Sequence, residues 1–384
     1  MGGKMEDQQG VMRGFETPPH DGIALALSGG GFRATLYHCG ALIRLNELGL
    51  LSRIDQFGSV SGGSIILGRL ASVWDRLEFN ENGVAHNLVP LVIDPVRAFC
   101  SRNQDRRVVF RRLLSPFSHI GAKLASVYED LTEGKHLEHL PSHPEFVFKS
   151  TNFQTGSMVR FSQLMIAELR LGAIDRPKGI PISTVMAASS AYPPVFSPIR
   201  VDTSHCKWRE FGGGQLGADQ SFSGMLVLAD GGVHDNLGLR GTIAFKTALV
   251  SDAGSPFAFD TKRKTPILYQ LRRTMSIISE QARAARSELL ARREHSGVND
   301  VAYWSIDRSY DGSEAKDRLP VAAAVVHRLS RMRTRLNRFT EREQGELINW
   351  GYASCDFSIG DAIAVPQDAP VARWPMPQQR FEFS

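Results

Sequence analysis

The stretch Gln56-Phe57-Gly58-Ser59-Val60-Ser61-Gly62-Gly63-Ser64 decides how this chain folds. An apolar, strand-like segment ends at Ser61 between small residues, and the helix-compatible run Ile65-Ile66-Leu67 follows. This order is typical of a nucleophile elbow, a sharp turn from strand to helix that lifts a serine hydroxyl out of the fold. Small neighbours are needed because a strained turn leaves little room for side chains. Taken alone, the pattern also fits an ordinary loop rich in glycine and serine.

A glycine-rich turn lies upstream of the elbow. The strand-like run 23–27 leads into Ser28-Gly29-Gly30-Gly31-Phe32-Arg33-Ala34, and an apolar helical pattern from Thr35 to Leu48 follows, with Gly49 placed to end it. Three consecutive glycines free backbone N–H groups to point at one spot beside a helix N-terminus, which predicts an anion site. The anion is then a phosphate or the oxyanion of an acyl-transfer intermediate.

The phosphate interpretation has a specific form. Gly29-x-Gly31-x-x-Ala34 matches the dinucleotide-binding fingerprint. That fingerprint also requires an acidic residue at the end of the second strand, about 20 residues on. Asp55, the nearest acid, comes before its strand, and the strand ends at Ser61 instead of at an acidic residue. The dinucleotide interpretation is therefore the less favoured of the two. A Walker lysine is missing, since Arg33-Ala34-Thr35 stands where Gly-Lys-Ser/Thr is required.

A third strand end carries an acid. The apolar run 225–229 leads into Asp230-Gly231-Gly232, which places the aspartate where its carboxylate points into a cleft. Asp-Gly-Gly turns are common in loops, so the pattern alone is weak. A serine needs a base to become a nucleophile, and a close, fixed carboxylate serves without a histidine.

In this order, the three segments resemble the patatin-like phospholipase family. The family's glycine-rich oxyanion block resembles residues 29–33, and its elbow serine matches Ser61, with Gly63 two residues later. Its Asp-Gly-Gly/Ala block matches residues 230–232, and a small-residue run leading to prolines and an aromatic resembles residues 187–196. Ser59 departs from the family's first elbow glycine, and Ala34 stands where many members have glycine.

The resemblance implies both a fold and a chemistry. The fold is α/β, with three α/β/α layers around a mostly parallel central sheet, which the alternation of strand and helix patterns also favours. The chemistry is a phospholipase A type cleavage of fatty acyl esters of membrane phospholipids by Ser61, with Asp230 as the base. The implied oxyanion hole consists of Gly29, Gly30 and Gly31. The implied supporting motif residues are Arg33, Gly63, Gly231 and Gly232. Arg33 either orients the glycine loop or meets a phosphate.

Composition limits the classes of partner and compartment. The 384 residues carry a net charge of +5, too small an excess to indicate nucleic acid but suited to transient contact with anionic headgroups. Four scattered cysteines without metal-site spacing favour a reducing compartment. No apolar leader or membrane-length run is present in the sequence, so we expect a cytoplasmic protein that contacts membranes peripherally. We expect no cofactor and no metal, and the sequence identifies no activator.

The chain is organised as one domain with a tail. Residues 1–20 are predicted to be a flexible tail and 21–384 a single hydrolase domain, with 71–144 as a helical cap insertion. In this insertion, arginines alternate with apolar residues: Arg97, Arg102, Arg106, Arg107, Arg111 and Arg112. Such a pattern is found on lipid-facing surfaces and also on ordinary solvated helix faces.

Two helices are predicted in the C-terminal third. Residues 274–294 form a basic surface helix in which Met275, Ile278 and Leu289 are expected to pack inward, with membrane contact as the alternative. Thr340 and Glu343 have the spacing of a capping box at the start of a last helix.

Histidines supply the main rival mechanism. In a Ser-His-Asp hydrolase of this kind, the histidine comes after the acid along the chain. The histidines that come after Asp230 include His234, His295 and His327, and we expect each of them to be an ordinary surface residue. A loose cluster of His136, His139 and His143 near Glu133 and Glu138 contains two prolines, which argues against helical metal-ligand spacing. The remaining alternatives are a histidine-assisted esterase or thioesterase, and a catalytically degenerate module that senses lipid or nucleotide.

Overall fold

A central sheet organises the chain. The computed structural model describes residues 19–104, 120–194, 196–261, 266–310, 318–363 and 369–381. Within these ranges the sheet has ten strands, in the order β10-β9-β1-β2-β3-β4-β5-β6, and β7 pairs with β8, which pairs with β3. The strands are β1 His20–Leu27, β2 Gln56–Val60, β3 Glu145–Asn152, β4 Met158–Phe161, β5 Met165–Glu168, β6 Gly172–Asp175, β7 Ile199–Asp202, β8 Met225–Asp230, β9 Phe245–Asp252 and β10 Asp300–Ser305.

Strand direction places the functional segments together. β10, β9, β1, β2 and β3 are parallel neighbours, whereas β4 to β6, β7 and β8 extend the sheet with antiparallel pairs. In the register, Val60 lies opposite Lys149, and Ser150, the next residue of β3, lies opposite Asp230. The residue after β2 is therefore level with the end of β8.

Helices cover both faces of the sheet, which confirms the predicted α/β fold with a mostly parallel central sheet. Alternate residues of the strands join two separate apolar clusters, one with Leu25 and Leu249 and the other with Ala26 and Val250. The helices are α1 Gly31–Glu47, α2 Gly62–Val73, α3 Asp94–Cys100, α4 Ile120–Thr132, α5 Ile182–Ser190, α6 Gln220–Ser223, α7 Gly232–Asp235, α8 Ile267–His295, α9 Ala323–Ser330 and α10 Glu341–Ala362.

The predicted C-terminal helices are present, with one correction. Thr340 caps α10 through its side chain, and Glu343 reaches back to the Thr340 N–H, so the capping box is confirmed. In α8, Leu289 packs partly against the smaller apolar cluster. Met275 and Ile278 are exposed instead of packing inward, because the first half of the helix extends past the cluster that its second half contacts.

The predicted cap region contains several helices where it is described, joined by non-helical segments. Between 71 and 144 lie the end of α2, a π-helical turn Val89–Ile93, α3 and α4, and Leu124 and Tyr128 of α4 are fully buried. Arg106, Arg107, Arg111 and Arg112, and residues 1–18 of the predicted tail, lie outside the described residues. The insertion and the tail therefore stay predictions. No helix within the described ranges is long and apolar enough to cross a membrane.

Candidate active site

Ser61 occupies a strained turn between β2 and α2. Its backbone has φ 49° and ψ −115°, a conformation that residues other than glycine rarely adopt. A Cβ on Gly63 would overlap the Leu27 carbonyl oxygen, so only glycine lets the turn pass this close to β1. The Ser61 N–H donates to Ser189 Oγ at 3.0 Å, and the side chain is buried except for a small exposed fraction.

Asp230 meets Ser61 across the end of β3. Ser61 Oγ donates to Asp230 Oδ2 at 2.6 Å, and the Gly232 N–H donates to Oδ1 at 2.7 Å. The backbone of Asp230 is held by Ala191, whose carbonyl accepts from the Asp230 N–H at 3.0 Å. A Cβ on Gly231 would overlap the Lys149 carbonyl oxygen, so this glycine permits close packing on β3.

Burial controls the protonation of Asp230. The carboxyl is almost entirely buried, and the loss of hydration raises its pKa to about 6, although the hydrogen bonds from Ser61 and Gly232 oppose the shift. Asp230 is therefore ionised at neutral pH but remains close to its pKa. A base in this range accepts and returns a proton efficiently.

The glycine loop lies against the elbow. A Cβ on Gly29 would lie 3.1 Å from the Ser61 Cβ. The Gly29 N–H donates to the Asn236 carbonyl at 3.0 Å, so the donor expected of Gly29 is already engaged within the fold. Within the described ranges, the N–H groups of Gly30 and Gly31 have no protein acceptor. They lie at the N-terminus of α1, where the helix dipole also favours an anion.

Arg33 fixes the surroundings of the glycine loop. Its guanidinium donates to the carbonyls of Ser330, Met332 and Ala253 at 2.6, 2.9 and 2.8 Å, and to Ser255 Oγ at 3.1 Å. The side chain is fully buried, and burial lowers its pKa to about 10. These contacts favour the first of the two roles expected of Arg33, the orientation of the loop, over contact with a substrate phosphate.

Three serine hydroxyls form a hydrogen-bonded chain that supports the elbow. Ser59 Oγ lies 2.8 Å from Ser64 Oγ, which lies 2.8 Å from Ser189 Oγ. Ser189 in turn donates to the Lys149 carbonyl at 2.6 Å. Ser59, the departure from the family pattern, is thus accommodated through its own hydrogen bond. Ser189 belongs to the small-residue run noted in the sequence, but nothing in that run indicated contact with Ser61.

His38 supports the site from α1, and sequence reasoning missed it. Its Nε2 lies 2.9 Å from the Ser28 carbonyl, and its Nδ1 lies 2.8 Å from Ser251 Oγ. Burial lowers the pKa of His38 to about 4, so the ring is neutral, and we assign the proton to Nε2 because a carbonyl only accepts. The same Ser28 carbonyl accepts from the Gly63 N–H at 3.1 Å. His38 lies inside an apolar helical pattern, and no local signal distinguishes it.

The histidines considered for a triad do not contact the pair. Within the described ranges, no histidine side chain hydrogen-bonds to Ser61 or Asp230. His234 is half-buried four residues after Asp230, and burial lowers its pKa. His295 and His327 are exposed. In the other cluster, Glu133 pairs with Arg69 and Arg76.

The fold of this chain is similar to those of two solved structures. In its fold the chain is similar to human GIVD cytosolic phospholipase A2, with 14% identity, a TM-score of 0.49, and coverage of 93% of this chain and 65% of that one. It is also similar to VipD from Legionella pneumophila, with 13% identity, a TM-score of 0.35, and coverage of 90% and 68%. The chain thus spans less than two thirds of the human phospholipase chain.

Sequence similarity points to one family. No curated protein matches the chain. The model of the family described as patatin-like phospholipase matches residues 25–243, a range that includes the glycine loop, the elbow and the Asp-Gly-Gly turn. This match covers more than half of the chain, and the chain therefore belongs to the patatin-like phospholipase family.

Proposed function

We propose that this protein is a lipid acyl hydrolase of phospholipase A type, which cleaves fatty acyl esters of membrane phospholipids through Ser61 and Asp230. The observation that carries the proposal is the 2.6 Å hydrogen bond from Ser61 Oγ to Asp230 Oδ2. The second carboxylate oxygen is held by the Gly232 N–H, so the base is fixed toward the nucleophile. Membership of the family supports the lipid substrate class.

The first half of the reaction forms an acyl-enzyme. Asp230 takes the proton of Ser61 as Oγ attacks the ester carbonyl carbon. The N–H groups of Gly30 and Gly31 bind the oxyanion, and they do so without reorganisation because the turn already holds them. Collapse of the tetrahedral intermediate breaks the ester bond, and Asp230 returns the proton to the departing alkoxide, which leaves as a lysophospholipid.

The second half releases the fatty acid. Asp230 takes a proton from water, and the hydroxide attacks the acyl carbonyl at the same oxyanion donors. The proton then returns to Ser61 Oγ as the acid departs. In this scheme Gly29 contributes through close packing and not through its N–H, which is donated to Asn236.

Hydrolysis of a phospholipid extract tests the proposal. Wild type is expected to release free fatty acids and lysophospholipids, identified by mass spectrometry, and Ser61→Ala is expected to release neither. The loss should reach about 10⁴-fold or more, because the nucleophile itself is removed. Ser72→Ala is a matched control, since Ser72 is a buried serine of α2 whose hydroxyl only donates to the Gly68 carbonyl. Equal release by wild type and a folded Ser61→Ala would contradict the proposal.

A further inference from the structure

The first half of α8 exposes a continuous apolar stripe. Leu268, Leu271, Met275 and Ile278 follow one another at intervals of three and four residues, which places them on one face of the helix. Leu268 is 81% exposed and Ile278 is 59% exposed. We call the exposed residues of this face, which include Ile267, the α8 stripe. It extends over about 16 Å at 1.5 Å per residue.

The same helical face is covered further along. Leu289, which continues the three-and-four spacing after Ile278, packs against the smaller apolar cluster, and Leu290 is buried in it. The apolar pattern of α8 therefore runs past the end of the surface that covers it. In the described part of the chain, nothing shields the α8 stripe from solvent. Contiguous exposed apolar surface of this kind is typical of an interaction site.

The stripe belongs to the helix that borders the candidate active site. Arg286 pairs with Asp235 at 3.0 Å and donates to the His234 carbonyl, which attaches α8 to the helix that follows Asp230. Arg283 pairs with Asp252 at 2.8 Å, at the end of β9 beside the glycine loop. These ion pairs fix the direction in which the first half of α8 extends from the site.

Tyr192 lies beside the candidate site, because it follows Ala191, whose carbonyl accepts from the Asp230 N–H at 3.0 Å. Tyr192 is half-exposed, and its pKa is raised by burial and by Asp230 and lowered by Arg272. These influences agree with the ion pairs of Arg283 and Arg286, which attach α8 beside the candidate site. The α8 stripe is therefore carried by a helix that ion pairs and a hydrogen bond hold next to the residues that follow Asp230.

The charged residues beside the α8 stripe indicate what kind of partner it fits. Residues 267–279 contain Arg272 and Arg273 and no acidic residue, and the first acid of α8 is Glu280. Arg273 lies over the Phe257 ring and donates to the Ala258 carbonyl, whereas the side chain of Arg272 is exposed. An apolar face flanked by arginine matches the boundary between headgroups and acyl chains of an anionic bilayer. Asp260, which accepts from Tyr269, is the neighbouring acid of the preceding segment.

We propose that the α8 stripe is the face with which this protein docks on an anionic phospholipid bilayer, bringing the neighbouring Ser61–Asp230 site to the lipid. The stripe inserts among the outer acyl segments, and Arg272 lies among the lipid phosphates. This inference rests on the proposed function, because a phospholipid substrate is what brings a bilayer to this site.

Vesicle binding tests the docking face with a matched pair of variants. Ile277 and Ile278 are both exposed isoleucines of α8, but Ile277 points away from the stripe. The full chain carrying Ser61→Ala is mixed with vesicles of phosphatidylcholine and phosphatidylglycerol and sedimented. Adding Ile278→Ser is expected to weaken binding about tenfold, and adding Ile277→Ser to leave it unchanged. Arg272→Gln should weaken binding about fivefold, and only when phosphatidylglycerol is present.

Three outcomes would overturn the docking face. They are equal binding by the two isoleucine variants, equal binding of the parent to vesicles with and without phosphatidylglycerol, and a dimer in light scattering that Ile278→Ser dissociates while no vesicles are bound. The last outcome would assign the stripe to a second copy of the chain. Since the Ser61→Ala background removes turnover, binding is read separately from hydrolysis. A chain that binds through the stripe but hydrolyses no ester would contradict the proposed function alone.

Discussion

The Ser61 turn and the first half of α8 depart from ordinary protein structure in opposite ways. The Ser61 turn has an unusual backbone but is buried. It is held in place by the hydrogen bond from the Ser61 N–H to Ser189 Oγ and by the one from the Gly63 N–H to the Ser28 carbonyl. The first half of α8 has regular helical backbone, but its apolar side chains face solvent. Strain that many contacts hold serves to fix atoms for chemistry, whereas exposed apolar surface serves contact with something outside the chain. Variants of the two regions should therefore fail in different assays.

The largest effect expected inside the site, after loss of Ser61, is that of Asp230→Asn. The amide keeps the shape of the side chain but accepts no proton, so turnover of a soluble short-chain ester should fall nearly as far as in Ser61→Ala, by about 10³-fold or more. The variant should fold normally at pH 7, because it replaces a buried charge with a neutral group. Melting curves and steady-state rates measure both outcomes. Activity near wild type would remove Asp230 from the mechanism.

The pH dependence of hydrolysis should reflect the pKa of Asp230, about 6. Below that pH the carboxyl is protonated and no longer accepts the Ser61 proton, so kcat/KM should fall about tenfold per pH unit. Stability changes in the other direction: the pKa lies above the usual 3.8, the folded chain binds the proton more tightly, and this contribution to stability is lost as pH rises through about 6.

An imidazole would titrate near the same pH, at about 6.5, so the profile alone does not distinguish a dyad from a triad. Thermal unfolding supplies the control. Asp230→Asn should lack the part of the pH-dependent change in melting temperature that belongs to this carboxyl. An activity profile that stays flat from pH 7 to pH 4 would show that no group with the raised pKa takes part.

Ser189→Ala should have an intermediate effect, on geometry and not on chemistry. The substitution leaves the buried Ser61 N–H without its acceptor and interrupts the hydroxyl chain to Ser64. An unsatisfied buried donor costs about 1–3 kcal/mol of unfolding free energy. We expect kcat to fall more than KM changes, since the position of Oγ relative to Asp230 is what the turn controls. Ser72→Ala is again the control, and equal losses in the two variants would show a role in stability alone.

His234→Gln should have the smallest effect in the series. The ring makes no hydrogen bond to Ser61 or Asp230, and the backbone of His234, which accepts from Arg286, is unaltered by the substitution. Turnover of the soluble ester should stay within about twofold of wild type. His295→Gln and His327→Gln, at exposed positions, are parallel controls. Any one of the three as inactive as Ser61→Ala would replace the dyad with a histidine-assisted mechanism.

The sequence by itself determined the parts of this protein that depend on neighbours along the chain. The small residues around Ser61 predict a tight turn, the glycines at 29–31 predict free N–H groups at a helix start, and Thr340 with Glu343 predicts a helix cap. Each follows from local sterics and hydrogen bonding that act over a few residues. The family resemblance, confirmed over residues 25–243, rests on the same local segments.

Only the tertiary structure decided which distant groups surround those segments. Arg33 is held by carbonyls about 220 and 300 residues away, and a Cβ on Gly31 would overlap the carbonyl oxygen of Thr334. The first half of α8 is exposed because the body of the protein ends there: the same apolar spacing packs against the smaller cluster at Leu289 and faces solvent at Ile278. Periodicity along a chain indicates which residues share a face, but whether that face is covered depends on contacts between elements far apart in sequence.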